Sequence, residues 1–175
     1  MLLANCILNI KLIKPAISKL NFTAKKTMQI AQKLYEGIDL GDGSVGLITY
    51  MRTDSTNLSD LCLGASKKVI VESMGKEYHQ IRNFKTKTKG AQEAHEAIRP
   101  TYMDRQSIDA PAPERRLYEL IWKRTIASQM AEAQFEKTTA TISVSNSPYT
   151  FTATGEVLMF DGFLRVYRAS VDEEG

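Results

Sequence analysis

Gly46-Leu47-Ile48-Thr49-Tyr50-Met51-Arg52-Thr53-Asp54-Ser55 is the stretch around which the rest of the chain is organised. An apolar run from Val45 to Ile48 leads directly into polar and reactive side chains. Side chains of an extended segment alternate between two faces, so an extended run puts Tyr50 and Arg52 on the same one. The pairing makes chemical sense. A phenol has a pKa of about 10 and is a weak nucleophile at neutral pH. A guanidinium stays charged, favours the phenolate and grips a phosphate through paired hydrogen bonds. Together the two groups suit attack on a phosphodiester. The plainer role for a Tyr and an Arg so spaced is packing with a cation–π contact.

A second motif lies downstream, Gln92-Glu93-Ala94-His95-Glu96-Ala97-Ile98-Arg99-Pro100-Thr101. Residues 93–99 are predicted to form a short helix that stops before Pro100. On a helix, His95 and Arg99 stand in an i,i+4 relation and share a face, where imidazole and guanidinium could meet one phosphate; Glu96 could pair with Arg99. The run His-Glu-Ala-Ile-Arg matches the start of the zincin pattern HExxH. Position 99 is Arg rather than His, so a zinc site is rejected.

The two motifs, in this order, resemble the active-site signatures of the type IA DNA topoisomerases of bacteria. Two long motifs are a far more specific signal than an isolated short pattern. The resemblance covers roughly residues 19–170 and implies an α+β fold. A mainly helical nucleophile domain is expected over 19–136, followed by antiparallel strands of a partial β-rich arch domain over 137–175. Residues 1–18 form an atypical segment with no clean period, expected to be poorly packed or to cover bare apolar surface.

By this resemblance, Tyr50 attacks one DNA strand, joins the 5′-phosphate and releases a 3′-hydroxyl. The other strand passes, and the hydroxyl reverses the step without ATP, relaxing negative supercoils. Arg52 would place and neutralise the scissile phosphate. His95 would support the phosphate network, and Arg99 would contact DNA. Thr49, Asp54 and Glu93 are expected to orient these groups. In the family a Toprim domain holds Mg2+ with a glutamate and paired aspartates. No such acidic pattern occurs here. The magnesium ligands are therefore expected in a Toprim domain outside these residues, and the chain alone is expected to be inactive. The expected partners are single-stranded or negatively supercoiled DNA and the remaining topoisomerase domains. The competing reading is a non-catalytic single-stranded DNA-binding module, or a remnant without a working partner.

Composition is compatible with either reading. The chain has 175 residues and a net charge of +3, mildly basic and consistent with nucleic acid. Cys6 and Cys62 are far apart and form no CxxC, which argues against a zinc ribbon or a disulfide framework. No apolar run approaches the roughly 20 residues needed to span a bilayer. A cytoplasmic, nucleoid-associated location is expected, with no membrane partner. The apolar opening, residues 1–13, lacks the basic flank and cleavage site of a signal peptide.

The remaining segments read as scaffold. Thr23 caps a helix to about Glu36, stopped by Gly37, with Met28, Ala31, Leu34 and Tyr35 as its apolar face. Gly41-Asp42-Gly43 turns the chain. Asp54 either pairs with Arg52 or caps a turn. Ser59 or Asp60 caps a helix running to Met74, with Gly75 as its stop. Phe84 and the alternating Lys85, Lys87 and Lys89 form a basic loop, a surface feature or a phosphate track. Pro111-Ala112-Pro113 reads as a linker before the longest helix, Glu114 to Met130, with Leu117, Leu120, Ile121, Thr125 and Met130 along its core stripe. From Lys137 the pattern alternates and becomes β-branched. Strands are predicted through Ser145, over Tyr149–Thr154, over Val157–Phe160 and over Phe163–Val166.

Overall fold

The computed structural model describes residues 9–39, 43–84 and 95–168. Most of the turn predicted at Gly41-Asp42-Gly43, the lysines of the basic loop, and Glu93 lie outside these residues. The chain divides into two units, Met1–Met130 and Ala131–Gly175. Among the described residues no helix is long and apolar enough to cross a membrane.

The first unit is mainly helical. Helix α1 spans Asn9–Leu20 and contains Pro15. Asn21 takes a left-handed conformation, φ 57°, and the Phe22 N–H reaches back to the Ala16 carbonyl at 3.2 Å. Asn tolerates this conformation better than most residues, which suits it to close a helix. Ala16 and Phe22 are buried in the core, so part of the segment expected to be poorly packed is a helix against its neighbours.

Helix α2 spans Ala24–Glu36, and the Thr23 hydroxyl accepts from Lys26 N–H at 3.2 Å. Its buried side chains are Thr27, Ile30, Ala31 and Leu34. The buried stripe is thus rotated from the expected one: Met28 is only partly buried and Tyr35 is exposed. The rotation turns Ile30 onto the core beneath α1 and the later helix α4, Ala112–Ser128. Short strands β1, Ile38–Asp39, and β2, Ser44–Val45, pair antiparallel after it.

Helix α3 spans Asp60–Ser73, with Ser59 as N-cap accepting from Cys62 N–H. Helix α4 spans Ala112–Ser128 and therefore begins inside the predicted linker. Pro113 falls in its first turn, where a missing N–H costs nothing. Tyr118 and Trp122 of α4 are buried with their polar ends satisfied. The Trp122 indole donates to the Met103 carbonyl at 2.8 Å and the Tyr118 hydroxyl to that of Arg105 at 2.8 Å. Burial pushes the Tyr118 phenol up to about 12. Leu34, Leu47, Ile98, Leu117 and Ile121 join one core cluster. Burying each such side chain contributes about 1.5–3 kcal/mol.

In the second unit, β3, Gln134–Ser143, and β4, Thr150–Phe160, form one antiparallel hairpin. The register runs from Gln134↔Phe160 to Ser143↔Thr150, with one irregularity beside Phe135. The predicted segments over Tyr149–Thr154 and Val157–Phe160 are one continuous strand. The strand expected over Phe163–Val166 is absent. That segment turns into helix α5, Leu164–Arg168. Gly162 has φ 48°, and Leu164 and Arg165 donate locally to Asp161 and Gly162. Those N–H groups are thereby lost to any ladder. The α+β class expected from the sequence stands.

Candidate active site

Regular strand ends at Val45, and the segment carrying Tyr50 is anchored by other means. A Cβ on Gly46 would lie 2.9 Å from the Tyr35 carbonyl oxygen, so only glycine fits this close passage. The next residue, Leu47, donates its N–H to the Leu34 carbonyl at 2.8 Å. Leu47 and Ile48 are buried. The segment bearing Tyr50 is thus fastened to the last turn of α2.

The second fastening is the other motif. Ile48 bridges Pro100 antiparallel. Thr49 N–H donates to the Arg99 carbonyl at 2.9 Å and Thr101 N–H to the Leu47 carbonyl at 2.9 Å. The Thr49 hydroxyl donates to the Ala97 carbonyl at 2.7 Å and accepts from Arg99 N–H at 2.9 Å. Ala97 N–H reaches the Asn57 carbonyl at 2.8 Å. These lateral bonds use the backbone groups that a helix would pair internally. Residues 95–99, the described part of the predicted helix over 93–99, are therefore not helical. The helix face expected to carry His95 and Arg99 together does not exist.

Beyond Thr49, Tyr50 is partly buried against the core. Its ring meets His95 at 5.2 Å between centroids, tilted by 37°, and Tyr35 at 5.4 Å in an edge contact. The structure thus brings Tyr50, His95 and Thr49 together. Exposure then alternates: Met51, Thr53 and Ser55 are buried, Arg52 and Asp54 exposed.

Among the described residues Arg52 makes no hydrogen bond, ion pair or cation–π contact, with Tyr50 or any other group. Of the two roles left open for Asp54, the ion pair with Arg52 is not formed among them. Two solvated side chains gain little from pairing. Nor does Asp54 shape the turn. Ser55 N–H donates to the Thr53 hydroxyl at 3.0 Å, and Asn57 N–H to the Ser55 hydroxyl at 3.2 Å. Serine and threonine hydroxyls can fold the chain this way.

Arg99, expected to contact DNA, is buried. Its Nε and Nη2 donate to Glu96 Oε2 at 3.1 and 2.5 Å, and Nη1 donates to the Pro100 carbonyl at 2.9 Å. Glu96 uses its other oxygen, Oε1, to accept from Ser59 N–H at 2.6 Å. Burial raises the Glu96 carboxyl, but hydrogen bonds from Ser59 and Arg99 and the Arg99 charge outweigh it, and the group ends below the ordinary carboxylate range. Cys62 lies buried nearby, and burial pushes its thiol up against the opposing influence of Arg99 and Ser66. The Glu96–Arg99 pair was foreseeable from spacing. The link to Ser59, 37 residues away, was not.

Among the described residues no group of three or more His, Cys, Asp or Glu side chains could hold a metal ion. The described donors do not make a magnesium site.

A family model described as DNA topoisomerase matches residues 8–175, and the chain belongs to the type IA DNA topoisomerase family. The match begins ahead of Lys19, where the resemblance was expected to start. DNA topoisomerase 1 of Rickettsia felis is 48% identical over 165 residues, covering 91% of this chain and 21% of the relative. DNA topoisomerase 1 of Xylella fastidiosa strain Temecula1 is 49% identical over 167 residues, covering 91% and 20%. The full-length topoisomerase I from Thermotoga maritima superposes with a TM-score of 0.81 at 38% identity, covering 94% of this chain and 27% of that one. The chain spans about a fifth of the length of the curated relatives it matches, 21% for the first.

Proposed function

We propose that this chain carries the nucleophile of a type IA topoisomerase, an ATP-independent isomerase that relaxes negatively supercoiled DNA. The observation that carries the reading is the Tyr50 ring, held against His95 by the pairing of the two motifs, with the exposed Arg52 cation close by in sequence. The Tyr50 oxygen attacks the phosphorus of a single-strand phosphodiester. The new bond is a 5′-phosphotyrosyl ester, and the bond to the 3′ oxygen breaks. That oxygen leaves with a proton as a 3′-hydroxyl. Its later attack on the phosphotyrosine reseals the strand and returns the phenol. The phosphodiester energy is conserved in the ester, so no nucleotide is consumed.

Arg52, with its donors uncommitted among the described residues, neutralises and orients the phosphate. His95 hydrogen-bonds the same phosphate or relays a proton. Arg99 acts from behind, through Glu96 and the chain, rather than on DNA. Magnesium, held by a Toprim domain, would supply charge to the DNA phosphates. Without that opposing wall the preorganised field is incomplete, so the isolated chain does not relax DNA efficiently.

The deciding experiment is covalent trapping. The chain is mixed with a Toprim-containing partner portion, Mg2+ and labelled single-stranded DNA, then denatured. Label retained on the wild type and absent from Tyr50→Phe is the expected result. DNA bound before denaturation but never covalently held would mark a binding module instead.

A further inference from the structure

The chain immediately after His95 is held by a residue that takes no part in the chemistry above. Glu96 divides its carboxylate between two tasks. Oε2 receives both Arg99 donors, and Oε1 receives the backbone N–H of Ser59, the N-cap of α3. A carboxylate is well placed at a helix start, where the N–H groups carry partial positive charge. Arg99 in turn grips the Pro100 carbonyl. One side chain therefore connects the helix that follows the nucleophile turn to the segment bearing the imidazole.

We infer that Glu96 is a positioning residue, a clamp between the N-terminus of α3 and Arg99 that fixes the His95 imidazole against Tyr50. The inference rests on the reading of Tyr50 as nucleophile with His95 beside it, but its geometry is measurable without any cleavage. The other lateral bonds, from Thr49 and Asn57, act on Ala97 and Arg99. Among the described residues, Glu96 is the one that secures the position next to His95 through a side chain. With Glu96 shortened, the segment keeps its Thr49 bonds, but the imidazole is free to swing from the Tyr50 ring.

The test reads ring contact directly. The chain has two histidines, so a His79→Gln background leaves His95 alone in the imidazole region of a carbon–proton NMR spectrum. The Tyr50 ring current displaces those signals from their unfolded-chain positions. In Glu96→Ala the displacement is expected to fall by at least half. Thr23→Ala is the matched control: it loses the α2 cap hydroxyl and leaves Ser59 and Glu96 untouched. It should lower the melting temperature while leaving His95 in place. Glu96→Gln, which retains an oxygen for Ser59 but loses the charge facing Arg99, should give an intermediate displacement. It also decides the matter, against the same control, should the alanine variant not fold.

Unchanged His95 signals in the folded Glu96 variants would overturn the clamp. So would equal displacement in the Thr23 and Glu96 variants, which would signify general loosening. Neither result bears on covalent trapping, so failure of the clamp and failure of the nucleophile reading are separable.

Discussion

Thr49 and Arg99 hold each other through two hydrogen bonds: Thr49 N–H donates to the Arg99 carbonyl at 2.9 Å, and Arg99 N–H donates to the Thr49 hydroxyl at 2.9 Å. The same hydroxyl donates onward to Ala97. A threonine was expected here to orient its neighbours, and this is the geometry by which it would do so. Thr49→Val keeps the shape but strands the Arg99 N–H and the Ala97 carbonyl. A loss of about 1–3 kcal/mol is expected, read as a lowered urea midpoint with unchanged slope. An unaltered midpoint would mean that the pairing of the motifs is held elsewhere.

Tyr50→Phe separates chemistry from packing. The ring contacts with Tyr35 and His95 survive, and the phenolic oxygen makes no hydrogen bond among the described residues. Stability should change by less than about 0.5 kcal/mol. The covalent adduct with DNA should vanish. An adduct persisting in this variant would assign the nucleophile to another residue.

Arg52→Ala should leave thermal stability untouched, because the side chain is exposed and uncommitted among the described residues. On the proposed reading its effect is on DNA binding. If Arg52 meets a phosphate, the slope of log affinity against log salt should fall by about one. An identical slope would remove Arg52 from the interface.

The pH dependence of stability follows from Glu96. Its folded-state pKa lies below the ordinary value of 4.5. The ionised clamp therefore stabilises the fold above that value, and its contribution disappears as pH falls through the lower folded value. The stability gap between wild type and Glu96→Gln, from urea melts, should hold near neutrality and close on acidification below 4.5. A gap that widens in acid would contradict the assignment.

What the sequence disclosed was local. Thr23 and Ser59 are N-caps, and Gly37 and Gly75 are stops with positive φ, because such signals act within a single turn. The β-branched alternation after Lys137 announced the hairpin. The failures were tertiary. The segment after Glu93 has helical spacing, yet its N–H groups are taken by Thr49 and Asn57. No pattern in the segment reveals a partner so distant in sequence. Arg99 looked like a surface cation for the same reason: its carboxylate neighbour was visible, but its burial was not. The Tyr50–His95 contact was legible only through resemblance to a family, since spacing cannot say which rings touch.

Cys62 turns this architecture into its own reporter. The thiol is buried beside the clamp and shifted towards its unreactive protonated form, so an electrophile attacks it only when the base of α3 comes open. With Cys6→Ser as background, Cys62 is the sole sulfhydryl, since the chain has two cysteines. The rate at which iodoacetamide labels it becomes a stopwatch for local opening, and that stopwatch should run faster once Glu96 no longer joins the two motifs.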